Sequence, residues 1–207
     1  MLVTLSAAYG AAGSRIGPAV AERLDVPFCD RAIALTMAHD LDVPVEEALA
    51  YEVPADRGLL ARLLRGFAGA DPGLTMALPG DVITPEDVHR ASREAVLAQA
   101  AAGEGVILGR GGGAALRDDP RVLRVRLTGA PNRRTRQAAE LGGVDEATAD
   151  RARRHLDGVH SEYLKQFYGV DIDDVGLYHL IIDSTSLPHE VCVDLIELAA
   201  RGRTDGR

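Results

Sequence analysis

Apolar and polar positions form short blocks along this chain, and the period of the pattern changes at glycines and prolines. Short apolar-rich segments predict strands at 2–8, 26–29, 105–108, 122–127 and 179–183, and the continuous apolar run at 105–108 is typical of a strand buried on both faces. Between them the apolar spacing becomes helical, at about 14–24, 84–102, 132–141, 145–167 and 187–201. Alternating strands and helices predict an α/β domain, in which a five-stranded parallel sheet carries helices on both faces. Ligands of such sheets bind at the carboxyl ends of the strands.

The length of 207 residues suits one cored domain, which we place at residues 1–201. Within it, residues 31–83 contain short helical patterns interrupted by many prolines and glycines, as expected of a helical insert rather than part of the sheet. Residues 202–207 are predicted to form a flexible tail. The sequence contains no internal repeat.

The net charge of −8 argues against a polymeric nucleic acid partner, because such binding depends on basic patches, while a small anion needs only local positive charge. No apolar run is long enough to span a membrane, and two distant cysteines with no basic leader favour a cytoplasmic protein. His155 and His160 are five residues apart and so lie on different helix faces, which makes a protein-held metal site improbable.

The first strand leads into a small-residue loop, Tyr9-Gly-Ala-Ala-Gly-Ser-Arg15, and then into a helix. This order directs backbone N–H groups and the positive end of the helix dipole at one point, where an anion can bind. The lysine of the common phosphate-binding motif is missing, since Gly13 is followed by Ser14 and Arg15. The only lysine of the chain, Lys165, is distant in sequence. The alternative is that these small residues only form a tight turn.

A second glycine-rich loop, Gly109-Arg-Gly-Gly-Gly113, follows a predicted buried strand. Its glycines allow a ligand to approach the backbone, so Arg110 is a candidate site residue or else a solvated loop arginine. The predicted helices at 132–141 and 145–167 are rich in arginine and offer further phosphate ligands. Clustered charges, however, usually mark an exposed helix face. In the second helix, pairing with Asp150 accounts for part of the cluster. Asp30 and Arg31 follow a strand, where an ion pair that ends the strand is the alternative to a site.

Taken together, six segments resemble the cytidylate kinase-like branch of the nucleoside monophosphate kinases, in order and in spacing. They are Tyr9-Gly-Ala-Ala-Gly-Ser, Val26-Pro-Phe-Cys-Asp-Arg31, Val106-Ile-Leu-Gly-Arg-Gly111, Ala130-Pro131 before an arginine helix, Tyr163-Leu-Lys-Gln-Phe-Tyr-Gly169 and Leu180-Ile-Ile-Asp-Ser-Thr-Ser186. The resemblance implies a P-loop core, an acceptor-binding insert at 31–83 and an arginine-bearing lid at 140–160. It also implies transfer of the terminal phosphoryl group of ATP, with Mg²⁺, to CMP or a similar small nucleotide, and it leaves self-association open.

The resemblance further implies roles for individual residues. Those that would bind ATP are Gly10, Ala11, Ala12, Gly13, Ser14, Arg15, Arg134 and Thr185. Those that would bind the acceptor are Asp30, Arg31, Arg110 and Asp157. Arg110, Arg153 and Arg15 would neutralise the transferring group, because phosphoryl transfer depends on positioning and charge neutralisation more than on covalent chemistry.

The chain also departs from typical members of that family. It has Ser6-Ala-Ala-Tyr-Gly10 in place of Ser-Arg-Glu-Tyr-Gly, and Leu108 and Gly111 stand where two aspartates are expected. These losses motivate an alternative from another class, a catalytically silent nucleotide- or phosphate-binding sensor or scaffold. A third hypothesis retains the kinase and replaces the acceptor by a non-nucleotide alcohol.

Overall fold

The computed structural model describes residues 1–29 and 85–203. The predicted insert at 31–83 and most of the tail therefore lie outside the described residues, and the proposed domain organisation stays a prediction. In chain order the elements are β1 (Leu2–Ala7), α1 (Gly13–Leu24), α2 (Pro85–Ala101), β2 (Gly105–Leu108), α3 (Gly112–Ala115), β3 (Val122–Thr128), α4 (Pro131–Gly142), α5 (Glu146–Tyr168), a 3₁₀ turn (Val175–Leu177), β4 (Leu180–Asp183) and α6 (His189–Gly202).

The strands form one parallel sheet in the order β2-β1-β3-β4. The α/β class, the parallel sheet and the flanking helices are confirmed. The prediction of five strands is wrong for the described residues, where the sheet has four. The apolar run 26–29 makes a single parallel bridge, Phe28 to Val106, beside β2.

Both faces of the sheet are covered, which explains why β2 is a continuous apolar run. On one face, α1 and α6 pack on β1 and β3 through buried residues that include Ile16, Val20 and Ile196. On the other face, α2 packs on Leu2 and Ile107, and the end of α5 packs on α3 and the 3₁₀ turn. Within the described ranges no helix has the length and hydropathy needed to cross a bilayer.

β4 is tied to β3 partly through a histidine. The His179 backbone N–H donates to the Arg124 carbonyl at 2.8 Å, and the Arg124 N–H donates to His179 Nδ1 at 3.0 Å. The ring must be unprotonated at Nδ1 to accept this bond. Partial desolvation, followed by the charges of Arg124 and Arg203, lowers the pKa of His179 from 6.5 to about 4.

We predict that this histidine makes the fold sensitive to mild acid. Because the folded-state pKa lies below the unfolded value, its contribution is complete above pH 6.5 and is lost as the pH falls toward about 4. His179→Asn retains an acceptor and does not titrate, so it should flatten the fall in the free energy of unfolding across this window. Urea unfolding at several pH values measures the effect. His155→Asn, at an exposed position of α5, should leave the wild-type slope; an unchanged slope in His179→Asn would contradict the assignment.

Candidate functional site

The first loop, Ala8–Ala12, joins the carboxyl end of β1 to the amino end of α1. Ala8 N–H donates to the Leu127 carbonyl at 3.0 Å, and Ala11 N–H turns back to the Ala8 carbonyl at 2.9 Å. Gly10 and Ala12 have left-handed backbone conformations, with φ of 78° and 56°. These two left-handed residues fold the chain tightly before the helix begins at Gly13.

Three side chains from two other parts of the chain hold successive carbonyl groups of the first loop. Arg134 Nη1 donates to the Tyr9 carbonyl at 2.9 Å, and Gln137 Nε2 donates to the Gly10 carbonyl at 2.9 Å. Ser184 Oγ, buried after β4, donates to the Ala11 carbonyl at 2.8 Å. The outward orientation of these carbonyls is therefore fixed by bonds from α4 and from the turn after β4.

The fixed carbonyls determine where the loop's N–H groups point. All peptide bonds are trans in the described residues, so each N–H points away from the carbonyl of the preceding residue. The N–H groups of Gly10 and Ala12 therefore point away from the anchoring side chains, and those of Gly13 and Ser14 open the first turn of α1. None of these four N–H groups donates to an acceptor in residues 1–29 or 85–203. Unsatisfied amides at a helix amino end bind anions.

Arg134 is the hub that connects this loop to α5. It is buried, and its guanidinium also donates from Nε to the Gly129 carbonyl at 3.0 Å. Its Nη1 and Nη2 atoms form a bidentate pair with the Asp157 carboxylate, at 3.0 and 2.8 Å. The structure thus places two predicted site residues against each other. Arg134, expected to bind ATP, contacts the first loop directly, and Asp157, expected to bind the acceptor, holds Arg134 in place. Their ligand contacts stay predictions.

Arg153 lies one helical turn before Asp157, in a network of its own. It donates to Asp150 at 2.8 Å and to Thr135 Oγ1 at 3.2 Å, and its Nη1 lies 3.5 Å from Asp157. Arg154 also pairs with Asp150. The predicted lid, residues 140–160, comprises the end of α4, a short turn and the first half of α5. Arg153 and Arg154 are therefore engaged with carboxylates of the same helix, while Arg151 donates to Thr148 Oγ1 at 2.9 Å.

The second glycine-rich loop lies beside the first, at the carboxyl end of β2. Gly109 N–H donates to the Leu5 carbonyl of β1 at 2.8 Å. Gly109, Arg110 and Gly111 are all left-handed, with φ of 71°, 55° and 65°. Three left-handed residues in succession form a sharp turn, which places Arg110 next to β1 and near Tyr163. The charge of Arg110 lowers the pKa of Tyr163, but burial of the phenol raises that pKa more strongly.

The structure explains why the two aspartates expected around this turn are absent. A Cβ on Gly111 would lie 2.7 Å from the Tyr168 ring, so no larger side chain fits without displacing that ring. Leu108 packs beneath the first loop, 3.1 Å from where a Cβ of Gly13 would be. Both positions therefore serve packing in this chain.

Thr185, predicted near the donor base, lies in the turn after β4. Its N–H and Oγ1 donate to Asp183 Oδ1 at 3.1 and 2.6 Å, and Arg133 pairs with Asp183 and donates to Thr185 Oγ1 at 3.0 Å. Hydrogen bonds from Thr185, then Ser186 and Arg133, lower the pKa of Asp183 to about 2. This turn is a rigid neighbour of the first loop through Ser184.

The remaining predicted residues differ in their placement. Ser14 and Arg15 are exposed in the first turn of α1, next to the N–H groups described above. Asp30 and Arg31 lie outside the described residues. In the described part of the chain no group of three His, Cys, Asp or Glu side chains could hold a metal ion. Magnesium that bridges phosphates needs few protein ligands, so the Ser14 hydroxyl is compatible with it.

Sequence reasoning missed the anchoring role of Gln137. Its signal was available, because Gln137 follows Arg134 by three residues and the two share a helix face. Ser184 was noted only as part of a turn, and Ser6 and Arg126 were not singled out. The strand pattern shows that Arg126 alternates with apolar residues, but not that its face of the sheet is covered.

Comparison with known proteins adds a family and a fold. The model of the cytidylate kinase-like family matches residues 2–186. No curated protein matches the sequence. A crystal structure of an uncharacterized protein from Eubacterium ventriosum ATCC 27560 is similar, with a TM-score of 0.69, 19% identity and coverage of 98% of each chain. At that identity the likeness shows a shared fold.

We predict that the first loop tolerates no side chain at Gly10. A Cβ there would lie 2.1 Å from the Arg134 carbonyl oxygen, whereas a Cβ on Gly109 would meet nothing within 4 Å. Both positions are left-handed, so Gly10→Ala and Gly109→Ala share a conformational penalty of about 1–2 kcal/mol. Gly10→Ala should lower the free energy of unfolding by a further ~1–3 kcal/mol, because its Cβ clashes with the backbone of α4. Urea unfolding of both variants measures the difference, and equal losses would show that α4 does not press on the loop.

We also predict that Asp157 stabilises the fold itself. Asp157→Asn removes the charge that compensates buried Arg134, and breaking a fully buried pair costs about 3–5 kcal/mol. Because the Asp157 side chain is 29% exposed, we expect a smaller loss, about 2 kcal/mol. The matched control is Asp194→Asn, which breaks an exposed pair with Arg23 and should cost less than about 1 kcal/mol. Equal stability of both variants would mean that Asp157 does not support Arg134.

Proposed function

Because the chain belongs to the cytidylate kinase-like family, we propose that it is a kinase that transfers the terminal phosphoryl group of ATP to a nucleoside monophosphate, CMP or a similar nucleotide. The observation that carries this proposal is the first loop and the start of α1, where four N–H groups have no acceptor among residues 1–29 and 85–203. The loop carbonyls of Tyr9, Gly10 and Ala11 are bound by Arg134, Gln137 and Ser184. Such an arrangement suits the phosphates of a nucleotide donor.

The second glycine-rich loop supports the proposal, because it lies beside the first. Adjacent β1 and β2 end at the same edge of the sheet, so a donor on the first loop and an acceptor near Arg110 would face each other there. A guanidinium at this point would bind the acceptor phosphate and neutralise charge on the transferring group. Positioning of the two substrates is the main contribution that phosphoryl transfer needs from a protein.

We assign the role of the missing lysine to two arginines, Arg15 and Arg110. Arg134 and Arg153 are held in pairs with Asp157 and Asp150, whereas Arg15 is exposed at the start of α1. When bound with ATP, magnesium would neutralise phosphate charge, and the Ser14 hydroxyl is the residue that would hold it. Arg15 would then lie on the donor side and Arg110 on the acceptor side.

A second candidate function is a silent nucleotide- or phosphate-binding protein. The observation that favours it is the engagement of Arg134 and Arg153 in structural ion pairs, together with the absence of lysine near the first loop. Calorimetry separates the two functions, because a silent protein binds ATP or CMP without consuming either.

We predict that the purified protein converts ATP and CMP to ADP and CDP in a coupled assay with a panel of nucleoside monophosphates. Arg110→Ala should lower turnover about 100-fold or more, as for loss of one charge-stabilising donor, with an unchanged melting temperature. The control is Arg117→Ala, at an exposed arginine beyond α3, which should retain wild-type turnover. Turnover equal to a blank without acceptor for every nucleotide would reject the kinase, and full activity of Arg110→Ala would reject its role.

A further inference from the structure

Arg126 is a buried cation in the middle of the sheet. It lies in β3 directly across from Ser6 of β1, and it is 7% exposed. The next residue along, Leu127, pairs with Ala7, and its carbonyl accepts the Ala8 N–H of the first loop. Arg126 therefore lies under the carboxyl edge of the sheet, beside the candidate site.

Its guanidinium makes one hydrogen bond to the described residues, from Nη1 to Ser6 Oγ at 2.9 Å. Among those residues no carboxylate lies within 4.0 Å of it, in contrast to buried Arg134, which has Asp157 as a bidentate partner. The charges of Asp173 and Asp157 offset only part of the effect of burial, which lowers the pKa of Arg126. An arginine remains charged even so.

The groups that surround Arg126 do not supply the missing charge. Ser6 is neutral, and its hydrogen bond lowers the pKa of Tyr178, while burial raises it more strongly. The Tyr178 hydroxyl itself donates to the Ile172 carbonyl at 2.9 Å. Asp157 already compensates Arg134 and lies 3.5 Å from Arg153. Ser6 therefore orients the guanidinium without neutralising it, and the neutral Tyr178 adds no counter-charge.

A buried charge without a counter-ion is unfavourable, and proteins normally pair such a group or use it to bind a charged ligand. We propose that Arg126, oriented by Ser6, is a binding residue for a phosphate group of the bound nucleotide. The identity of the ligand as a nucleotide rests on the proposed function; the need for an oxyanion rests on Arg126 alone. The phosphate belongs either to the donor or to the acceptor.

The test compares Arg126→Met with Arg136→Met, which removes the same charge from an exposed position of α4. Isothermal calorimetry of the full chain measures binding of ATP, CMP and inorganic pyrophosphate separately, and thermal unfolding is recorded without ligand. We expect Arg126→Met to melt at or above the wild-type temperature without ligand, since an uncompensated buried charge has been removed. We expect it to bind at least one of the three anions about 10-fold or more weakly, while Arg136→Met stays within twofold of wild type.

The pattern across ligands identifies the phosphate: loss confined to ATP assigns the donor, and loss confined to CMP assigns the acceptor. Arg126→Lys and Ser6→Ala supply independent measurements, because the first keeps the charge and the second removes only its orienting bond. Both should weaken the same ligand. Two outcomes would overturn the proposal. In the first, Arg126→Met melts at a lower temperature while Arg126→Lys and Ser6→Ala keep wild-type affinities, which would make Arg126 a structural residue. In the second, Arg126→Met binds all three anions with the same affinities as Arg136→Met. Pyrophosphate binding that depends on Arg126 in a protein without kinase turnover would retain this inference and reject the kinase.

Discussion

The candidate site depends on one constraint, the fixed orientation of three successive carbonyl groups in the first loop. Apart from Tyr9, which packs against Ala138 and Ala149, the residues of this loop are too small to hold its shape, and the left-handed conformation of Ala12 is unfavourable when isolated. Arg134, Gln137 and Ser184 supply that shape from outside. Because a peptide plane is rigid, fixing a carbonyl also fixes the next N–H. The backbone amides of this loop are thus preorganised by side chains that bond to the carbonyls on the opposite side of each peptide plane.

This arrangement connects the loop to the region predicted as a lid. Arg134 binds the first loop and the Asp157 carboxylate of α5 at once, and Arg153 lies between Asp157 and Asp150 on the same helix. A movement of α5 would change the charge beside Arg134 and hence the support of the loop. In an interior of low dielectric such coupled ion pairs favour a small number of discrete arrangements over continuous adjustment. The network therefore links the position of α5 to the geometry of the first loop.

The sequence was informative wherever local pattern and tertiary packing agree. Buried strands beginning at Leu2 and Gly105 have continuous apolar runs because helices cover both faces, and the helices around them carry apolar stripes. The pattern failed at 26–29, where an apolar run looks like a strand but only Phe28 pairs with a neighbour; strand propensity does not say how many partners a strand will find. The interpretation of clustered arginines as an exposed face holds for Arg133, which is exposed, and fails for Arg134, whose burial depends on the position of α5.

Charge explains how a chain with one lysine could handle phosphates. A lysine in the first loop would be a mobile point charge, whereas arginines present fixed, planar sets of donors. The N–H donors of Arg134 are used by backbone carbonyls and by Asp157. Arg134 therefore shapes the loop, but its charge is already paired with Asp157. Arg126 lies in β3, across from Ser6 of β1. Among the described residues no carboxylate lies within 4.0 Å of its guanidinium, whose one hydrogen bond there is to Ser6. The two buried arginines thus have different roles. Arg134 has its counter-ion, Asp157, within the fold, whereas Arg126 gains a counter-ion when a ligand supplies an oxyanion.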